Sequence, residues 1–237
     1  MKTILCNASG GYGASGRYGV ARAHSKLRGL AAAALFTLLA GVSAADAETL
    51  RITALGDSLT QGYGLMQGDG LVPQLEAWLR ARGHDVSVIN AGVSGDTTTG
   101  GRARLDWTLA DTPDAVIVAL GGNDLLRGID PALSRANLDA ILTRLEDEGL
   151  PALLVGLPAP GNYGAAYQQA FSAMYPELAE EHGTLLVADM MAPLMAEGVA
   201  PRAVMQGDMI HPNPAGVLLV VEAMGPAVEE LIARIAE

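Results

Sequence analysis

Short aliphatic runs alternate with longer amphipathic segments along this chain, and that alternation constrains the fold more than any other feature. The runs that predict strands are 50–55, 86–90, 115–120, 152–157 and 185–188. The segments that predict helices lie near 69–82, 97–110, 131–148, 164–182 and 213–236. Strands that alternate with helices predict one α/β domain, in which a parallel sheet carries helices on both faces.

The first 47 residues predict a signal peptide that lies outside this domain. Lys26 and Arg28 precede an apolar run over 29–42, and small residues follow it, so we expect cleavage after Ala44 or Ala47. The run is shorter than the ~20 apolar residues of a membrane span, although an uncleaved anchor remains the alternative. We therefore expect a periplasmic or secreted protein whose domain is 48–237.

The predicted mature chain is strongly acidic. The first 47 residues hold five of the 15 basic and one of the 26 acidic residues, which leaves a formal charge of -15 on 48–237. Such a surface repels nucleic acid and other polyanions at long range, so no nucleic-acid partner is expected. The single cysteine, Cys6, lies in the predicted signal peptide, so the mature chain is expected to form no intramolecular disulfide.

Three residues carry the side chains of a nucleophilic hydrolase. Ser58 follows the first predicted strand, and Asp208 and His211 stand three residues apart near the C-terminus. A serine hydroxyl needs an imidazole base to become a nucleophile, and a carboxylate orients that imidazole. Taken alone, Ser58 is more typical of a turn or helix cap. Position 60 is Thr60, so the chain lacks the G-x-S-x-G nucleophile elbow.

Two further residues can supply an oxyanion hole. Gly92 allows its backbone N–H to approach a substrate oxygen closely, and Asn123 offers a side-chain N–H. Each is also common as a turn or capping residue. However, Ser58, Gly92 and Asn123 each come just after a predicted strand, and the carboxyl ends of parallel strands meet at one edge of a sheet. We therefore expect these residues to converge there.

In this order the motifs resemble the four sequence blocks of the GDSL/SGNH hydrolases, in particular the bacterial arylesterase, thioesterase I and lysophospholipase L1 subgroup. The blocks are Gly56-Asp57-Ser58-Leu59, Gly92, Gly121-x-Asn123-Asp124 and Asp208-x-x-His211. The resemblance implies a three-layer, flavodoxin-like α/β/α sandwich around a parallel five-stranded sheet.

The resemblance also implies the roles of the site residues. Ser58 is then the nucleophile, His211 the base and Asp208 its orienting acid. The N–H groups of Ser58 and Gly92 and the side chain of Asn123 form the oxyanion hole. No metal or organic cofactor is implied.

The substrate-binding residues are predicted from the loops after two strands. The resemblance suggests that Leu125 and Leu126 cover an acyl chain, and Pro158 and Tyr163 are placed to form another wall. Core filling is the alternative for the two leucines.

The expected activity is hydrolysis of small to medium acyl esters or lysophospholipids, by a monomer. Acyl-CoA is disfavoured as the main substrate because the predicted protein is exported and acidic. The alternatives are a carbohydrate O-acetylesterase on the same scaffold and a non-catalytic ligand-binding module.

Overall fold

A computed structural model describes residues 49–235, so the predicted signal peptide lies outside the described residues. Its strands are β1 (Leu50–Gly56), β2 (Val86–Gly92), β3 (Ala115–Ala119), β4 (Ala152–Val155) and β5 (Leu185–Val187). They form one sheet in the order β2-β1-β3-β4-β5, and all neighbours pair in parallel. This is the predicted five-stranded flavodoxin-like sheet.

The helices follow the predicted positions with two differences. They are α1 (Ser58–Gln61), α2 (Leu71–Ala81), α3 (Thr98–Ala103), α4 (Leu105–Leu109), α5 (Gly122–Leu126), α6 (Pro131–Asp147), α7 (Ala165–Glu181), α8 (Pro201–Val204) and α9 (Pro214–Ile235), with 3₁₀ turns at Gly161–Tyr163 and Ala192–Met195. The first difference is that α1, α5 and α8 are short helices at positions where the sequence predicts no helix.

The second difference is that the helix predicted at 97–110 is divided in two. Arg104 separates α3 from α4, with φ -105° and ψ 9°. Its guanidinium donates to the carboxylate of Asp96 at 2.7 Å and to the Gly56 carbonyl at 2.9 Å. Gly100 and Gly101 also weaken α3, because glycine has a low helix propensity. A continuous helix is therefore poorly favoured here.

Two apolar cores lie on opposite faces of the sheet. Ile52, Ile117 and Leu153 point to one face, where they pack with residues of α2 and α9. Their neighbours Val118 and Leu154 point to the other face, where they pack with residues of α6 and α7. The central strands are buried on both sides, as is typical of parallel sheets, and the result is the predicted three-layer sandwich. Among the described helices none is long and apolar enough to span a membrane.

The strand register places the ends of three strands side by side. Gly56, the last residue of β1, pairs with Gly92 on one side and with Ala119 on the other. The segments that leave these three strands, including the one that begins with Ser58, therefore start at the same edge of the sheet.

The residue that follows β4, Gly156, tests how closely the backbone packs at this edge of the sheet. Gly156 donates its N–H to Val187 and accepts from the Met190 N–H, and a Cβ at Gly156 would lie only 2.5 Å from the Ala188 carbonyl oxygen. We expect Gly156→Ala to lower the free energy of unfolding by about 1–3 kcal/mol, as overpacking does. Urea denaturation measures this change.

Gly68→Ala is the matched control. Its Cβ would meet nothing within 4 Å, so the substitution should leave stability unchanged or raise it by up to about 1 kcal/mol. Equal stability of the two variants would contradict the proposed crowding at Gly156.

Candidate active site

Ser58 is the first residue of α1, two residues after the end of β1, which pairs with β2 and β3 in the sheet. Asp57 caps this helix, because its Oδ1 accepts the Leu59 N–H at 3.0 Å. The cap turns the chain sharply from strand to helix and places the Ser58 side chain at the sheet edge. Its Oγ lies 2.8 Å from Nε2 of His211, a residue 153 positions later in the chain.

His211 also contacts Asp208, on the other side of its ring from Ser58. Asp208 Oδ2 lies 2.6 Å from His211 Nδ1, while Oδ1 accepts the N–H groups of Ile210 and His211, each at 3.0 Å. The hydrogen bond from His211, followed by the two backbone bonds, lowers the pKa of Asp208 to about 2. The ionised Asp208 carboxylate accepts a hydrogen bond from the His211 Nδ1–H, which favours the tautomer with an unprotonated Nε2 facing Ser58 Oγ.

The loop that carries these two residues is closed at its base. Met205 and Pro212 form an antiparallel bridge, and α9 begins directly after it. Asn213 Oδ1 accepts the Gly216 N–H at 3.1 Å, so Asn213 caps α9. His211 therefore lies within the loop that this bridge closes, one residue before Pro212.

Asn123 lies in α5, directly after β3, and is oriented by Asp57. Its Nδ2 donates to Asp57 Oδ2 at 3.3 Å, which leaves the second amide hydrogen for a substrate. The glycines before it allow this approach. Gly121 has φ +120°, where a Cβ would lie 2.2 Å from the Tyr175 hydroxyl, and a Cβ at Gly122 would lie 2.9 Å from Asp57 Oδ2.

Asp57 is a buried carboxyl group, with 3% of its surface exposed. Burial raises the pKa of Asp57 to about 6, and the Leu59 N–H, His211 and Asn123 oppose that rise. Asp57 thus links the helix that begins with Ser58 to the amide of Asn123.

A second buried acid fixes α5 from behind. Asp124 is fully buried and accepts from the backbone N–H and hydroxyl of Thr98 and from the hydroxyl of Ser134, at 2.6–2.8 Å. A buried carboxylate with three donors is well satisfied. It ties α5, and so Asn123, to helices α3 and α6.

Gly92 does not fit its predicted role. Its N–H already donates to Asn90 Oδ1 at 2.9 Å, and a Cβ there would lie 2.3 Å from the backbone nitrogen of Gln61. Gly92 therefore allows β2 to pack closely on α1. Three residues later Gly95 has φ +82°, and its carbonyl accepts from Arg127 at 2.8 Å. Within residues 49–235 the Gly95 N–H has no acceptor.

A cavity of about 90 Å³ adjoins Ser58 and His211. Leu125 and Leu126 both line it. Leu125 is buried and also belongs to the core, whereas Leu126 is 55% exposed. The lining residues that the sequence did not reveal are Leu59, Gly122, Leu157, Met191 and Ile210. They come from several separate segments, so no local pattern could have grouped them.

Pro158 and Tyr163 do not line this cavity, contrary to prediction. Pro158 is exposed, and its neighbour Leu157 lines the cavity instead. The Tyr163 hydroxyl donates to the Leu126 carbonyl at 3.3 Å, and its ring lies against Gly128. Tyr163 therefore supports the loop after α5 from outside.

The part of the chain that the structure describes holds no group of three or more His, Cys, Asp or Glu residues placed to bind a metal ion. The cavity beside Ser58 is instead lined mainly by apolar side chains. A parallel five-stranded sheet that presents Ser58, His211 and Asp208 at its carboxyl edge defines the class of the protein as a carboxylic ester hydrolase.

Comparison with known proteins identifies the family within this class. The sequence model of the GDSL-like lipase/acylhydrolase family matches residues 54–218, and the chain belongs to this family. It is 38% identical over 208 residues to esterase TesA of Pseudomonas aeruginosa, and this alignment covers 87% of this chain and 100% of that protein. It is also 38% identical over 201 residues to thioesterase 1/protease 1/lysophospholipase L1 of Escherichia coli K12, covering 84% and 91% of the two chains.

Solved structures agree with these sequence relatives. The crystal structure of AlinE4, an SGNH-hydrolase family esterase, superimposes with a TM-score of 0.64 at 43% identity. The match covers 77% of this chain and 96% of that one.

The raised pKa of Asp57 predicts how stability depends on pH. Its pKa of about 6 lies above the ordinary value of 3.8, so the folded state binds this proton more tightly than the unfolded chain does. Stability due to Asp57 is therefore greatest below pH 4 and falls by up to about 3 kcal/mol as the pH rises to 6. We expect Asp57→Asn to raise the free energy of unfolding at pH 7.5, with a smaller gain at pH 4, and to lower kcat because Asn123 loses its carboxylate acceptor.

Urea unfolding at both pH values measures this difference. Asp111→Asn, which changes an exposed aspartate, is the control and should show no such dependence on pH. The same stability change for Asp57→Asn at both pH values would contradict the prediction.

Proposed function

We propose that the protein hydrolyses acyl esters through a covalent acyl-Ser58 intermediate. The observation that carries this proposal is the continuous series Asp208–His211–Ser58, with separations of 2.6 Å and 2.8 Å. His211 Nε2 takes the Ser58 proton as Oγ attacks the carbonyl carbon, and then gives it to the departing alcohol or thiol. A water molecule next attacks the acyl carbon and gives its proton to His211, which returns it to Ser58 as the free acid leaves.

We further propose that three N–H groups stabilise the oxyanion. They are the backbone N–H of Ser58, the side-chain amide of Asn123 and the backbone N–H of Gly95, which replaces Gly92. Asp57 holds the Asn123 amide, and Arg127 holds the Gly95 carbonyl. Donors fixed before the reaction stabilise the developing charge most effectively, and each is typically worth about 3 kcal/mol of barrier.

The proposed substrates are esters of small to medium acyl chains. A cavity of about 90 Å³ is well below the roughly 300–1,000 Å³ of sites for drug-sized ligands, which favours a short acyl group. Leu126 and Ile210, 55% and 43% exposed, extend the apolar surface beyond the cavity and can contact a longer chain. The names esterase and lysophospholipase carried by the relatives support this substrate class.

We also propose that the enzyme is exported and acts as a monomer. Export rests on the signal-peptide pattern of residues 1–47. In the periplasm or outside the cell, a domain with a formal charge of -15 is expected to act on neutral or zwitterionic esters in preference to acyl-CoA.

Covalent labelling tests the proposed nucleophile. We expect a fluorophosphonate to add one phosphonyl group to the mature protein and tandem mass spectrometry to place it on Ser58. Ser58→Ala should abolish this adduct and lower kcat on p-nitrophenyl acetate by about 10⁴-fold or more. Ser172→Ala, which removes a hydroxyl on α7, is the control and should label normally. Undiminished hydrolysis by Ser58→Ala would overturn the mechanism.

An acyl-chain series tests the proposed substrate surface. We expect Leu126→Ala to lower kcat/KM for p-nitrophenyl octanoate by about fivefold, because it removes apolar contact worth about 1 kcal/mol, and to change acetate by less than twofold. Leu218→Ala on α9, at 50% exposure, is the matched control and should change neither value.

Two outcomes would contradict this substrate assignment. An equal loss on acetate and octanoate would show that Leu126 does not contact the acyl chain. A much higher kcat/KM on acetylated xylan than on any p-nitrophenyl ester would favour the carbohydrate O-acetylesterase alternative.

A further inference from the structure

The nucleophile and the base come from opposite ends of the described chain, so something must hold their loops together. Ser58 starts α1, and the loop after α1 contains Tyr63 and Gly64. His211 lies in the base loop, which we define as residues 205–212. The 2.8 Å contact between Ser58 and His211 requires these two loops to keep a fixed separation.

The side chain of Gln206 joins the two loops. Its Nε2 donates to the Tyr63 carbonyl at 2.8 Å and to the Pro212 carbonyl at 3.0 Å, so both amide hydrogens are used. A Cβ at Gly64 would lie 2.3 Å from Gln206 Oε1, which shows how closely the loop after α1 packs on this amide. The half-buried Gln206 side chain therefore bridges the two loops.

The backbone of Gln206 also shapes the base loop itself. Its N–H donates to the His211 carbonyl at 2.8 Å, and its carbonyl accepts the Met209 N–H at 3.0 Å. Met209 has φ +58°, a left-handed conformation that is uncommon for a residue with a side chain. The Gln206 backbone therefore helps to fix the shape of the base loop.

The other end of the connection reaches the nucleophile directly. The Tyr63 N–H donates to the Ser58 carbonyl at 3.1 Å, and the Tyr63 ring lies 4.8 Å from the His211 ring between centroids. A short path therefore runs from the Ser58 backbone through Tyr63 and Gln206 to the His211 backbone. Its links are two backbone hydrogen bonds, the side-chain hydrogen bond from Gln206 to Tyr63, and the covalent bonds of these residues.

We infer that Gln206 is a positioning residue that sets the separation between Ser58 and His211. The inference rests on the proposed function, because it assumes that His211 activates Ser58. Loss of the Gln206 amide frees the base loop from Tyr63, and misplacement of a catalytic group by about 1 Å can cost on the order of 100-fold in rate. Gln206 itself contacts neither the cavity nor the reacting atoms.

Two substitutions separate this role from simple filling of space. Gln206→Ala removes the side chain, whereas Gln206→Glu keeps its size but cannot donate to the two carbonyl oxygens. We expect both variants to lower kcat on p-nitrophenyl acetate by about 10- to 100-fold and the rate of fluorophosphonate labelling of Ser58 by a similar factor. KM for this short acyl ester should change by less than threefold, because Gln206 itself does not line the cavity.

Gln74→Ala is the matched control. The Gln74 side chain also donates to a loop carbonyl, that of Gly68 at 2.7 Å, but it contacts neither Tyr63 nor the base loop. This variant should keep native kcat and labelling rate. Circular dichroism and thermal unfolding of every variant measure the folded fraction, to which each rate is normalised.

The outcomes distinguish this inference from the proposed function. Native labelling and kcat in Gln206→Glu would overturn the positioning role while leaving the Ser58 mechanism intact. A loss that disappears after normalisation to the folded fraction would overturn it too, because the role would then be structural only. Hydrolysis by Ser58→Ala at the native rate would instead overturn the mechanism.

Discussion

Parallel pairing of β1 between β2 and β3 is the constraint on which the site depends. Because Gly56, Gly92 and Ala119 end level with one another, the chain leaves all three strands at the same edge. Helix α1 with Ser58, the turn at Gly95 and helix α5 each follow one of these strands after only a few residues, so they lie side by side. Burial of the sheet on both faces makes this edge rigid, and rigidity is what an oxyanion hole requires.

The polar groups behind the site are as important as those that face the substrate. Asp57 and Asp124 are both buried, and each joins segments that are distant in the sequence. Asp124 is satisfied by three donors, whereas Asp57 has two, one of which is the long bond from Asn123. The burial of Asp57 therefore costs stability, which its raised pKa reflects. This costly buried carboxylate lies where it orients the side-chain amide of Asn123.

The sequence predicts the sheet from local patterns, whereas the link between Ser58 and the Asp208–His211 pair depended on the order of the motifs along the chain. Short aliphatic runs bounded by turn residues indicate strands in an alternating α/β pattern, and Asp208 and His211 interact across only three residues. The assignment of Gly92 failed because it depended on where β2 ends. The strand continues to Gly92, where the Asn90 side chain takes the N–H, so the first glycine with an available amide lies in the following turn, at Gly95.

The substrate wall was harder to predict for a related reason. Whether a loop residue faces a cavity depends on the path of the chain over a few residues, which composition does not determine. Tyr163 and Leu157 illustrate this: the tyrosine turns outwards to hold the loop after α5, and the leucine next to Pro158 turns in. Likewise, Ile210 enters the cavity only because the base loop folds back on itself.

The two halves of the proposed catalytic site therefore differ in how they are held. Ser58 and Asn123 sit on helices that start directly from buried strands, and their positions follow from the sheet. His211 lies on a loop that approaches from the far end of the chain, so its position follows from a few hydrogen bonds and the start of α9. A fixed oxyanion hole cannot compensate for a displaced base, because proton transfer requires contact with Ser58 Oγ. The stability of the fold and the geometry of proton transfer are thus set by separate interactions, and substitutions in the loop contacts can reduce activity without unfolding the protein.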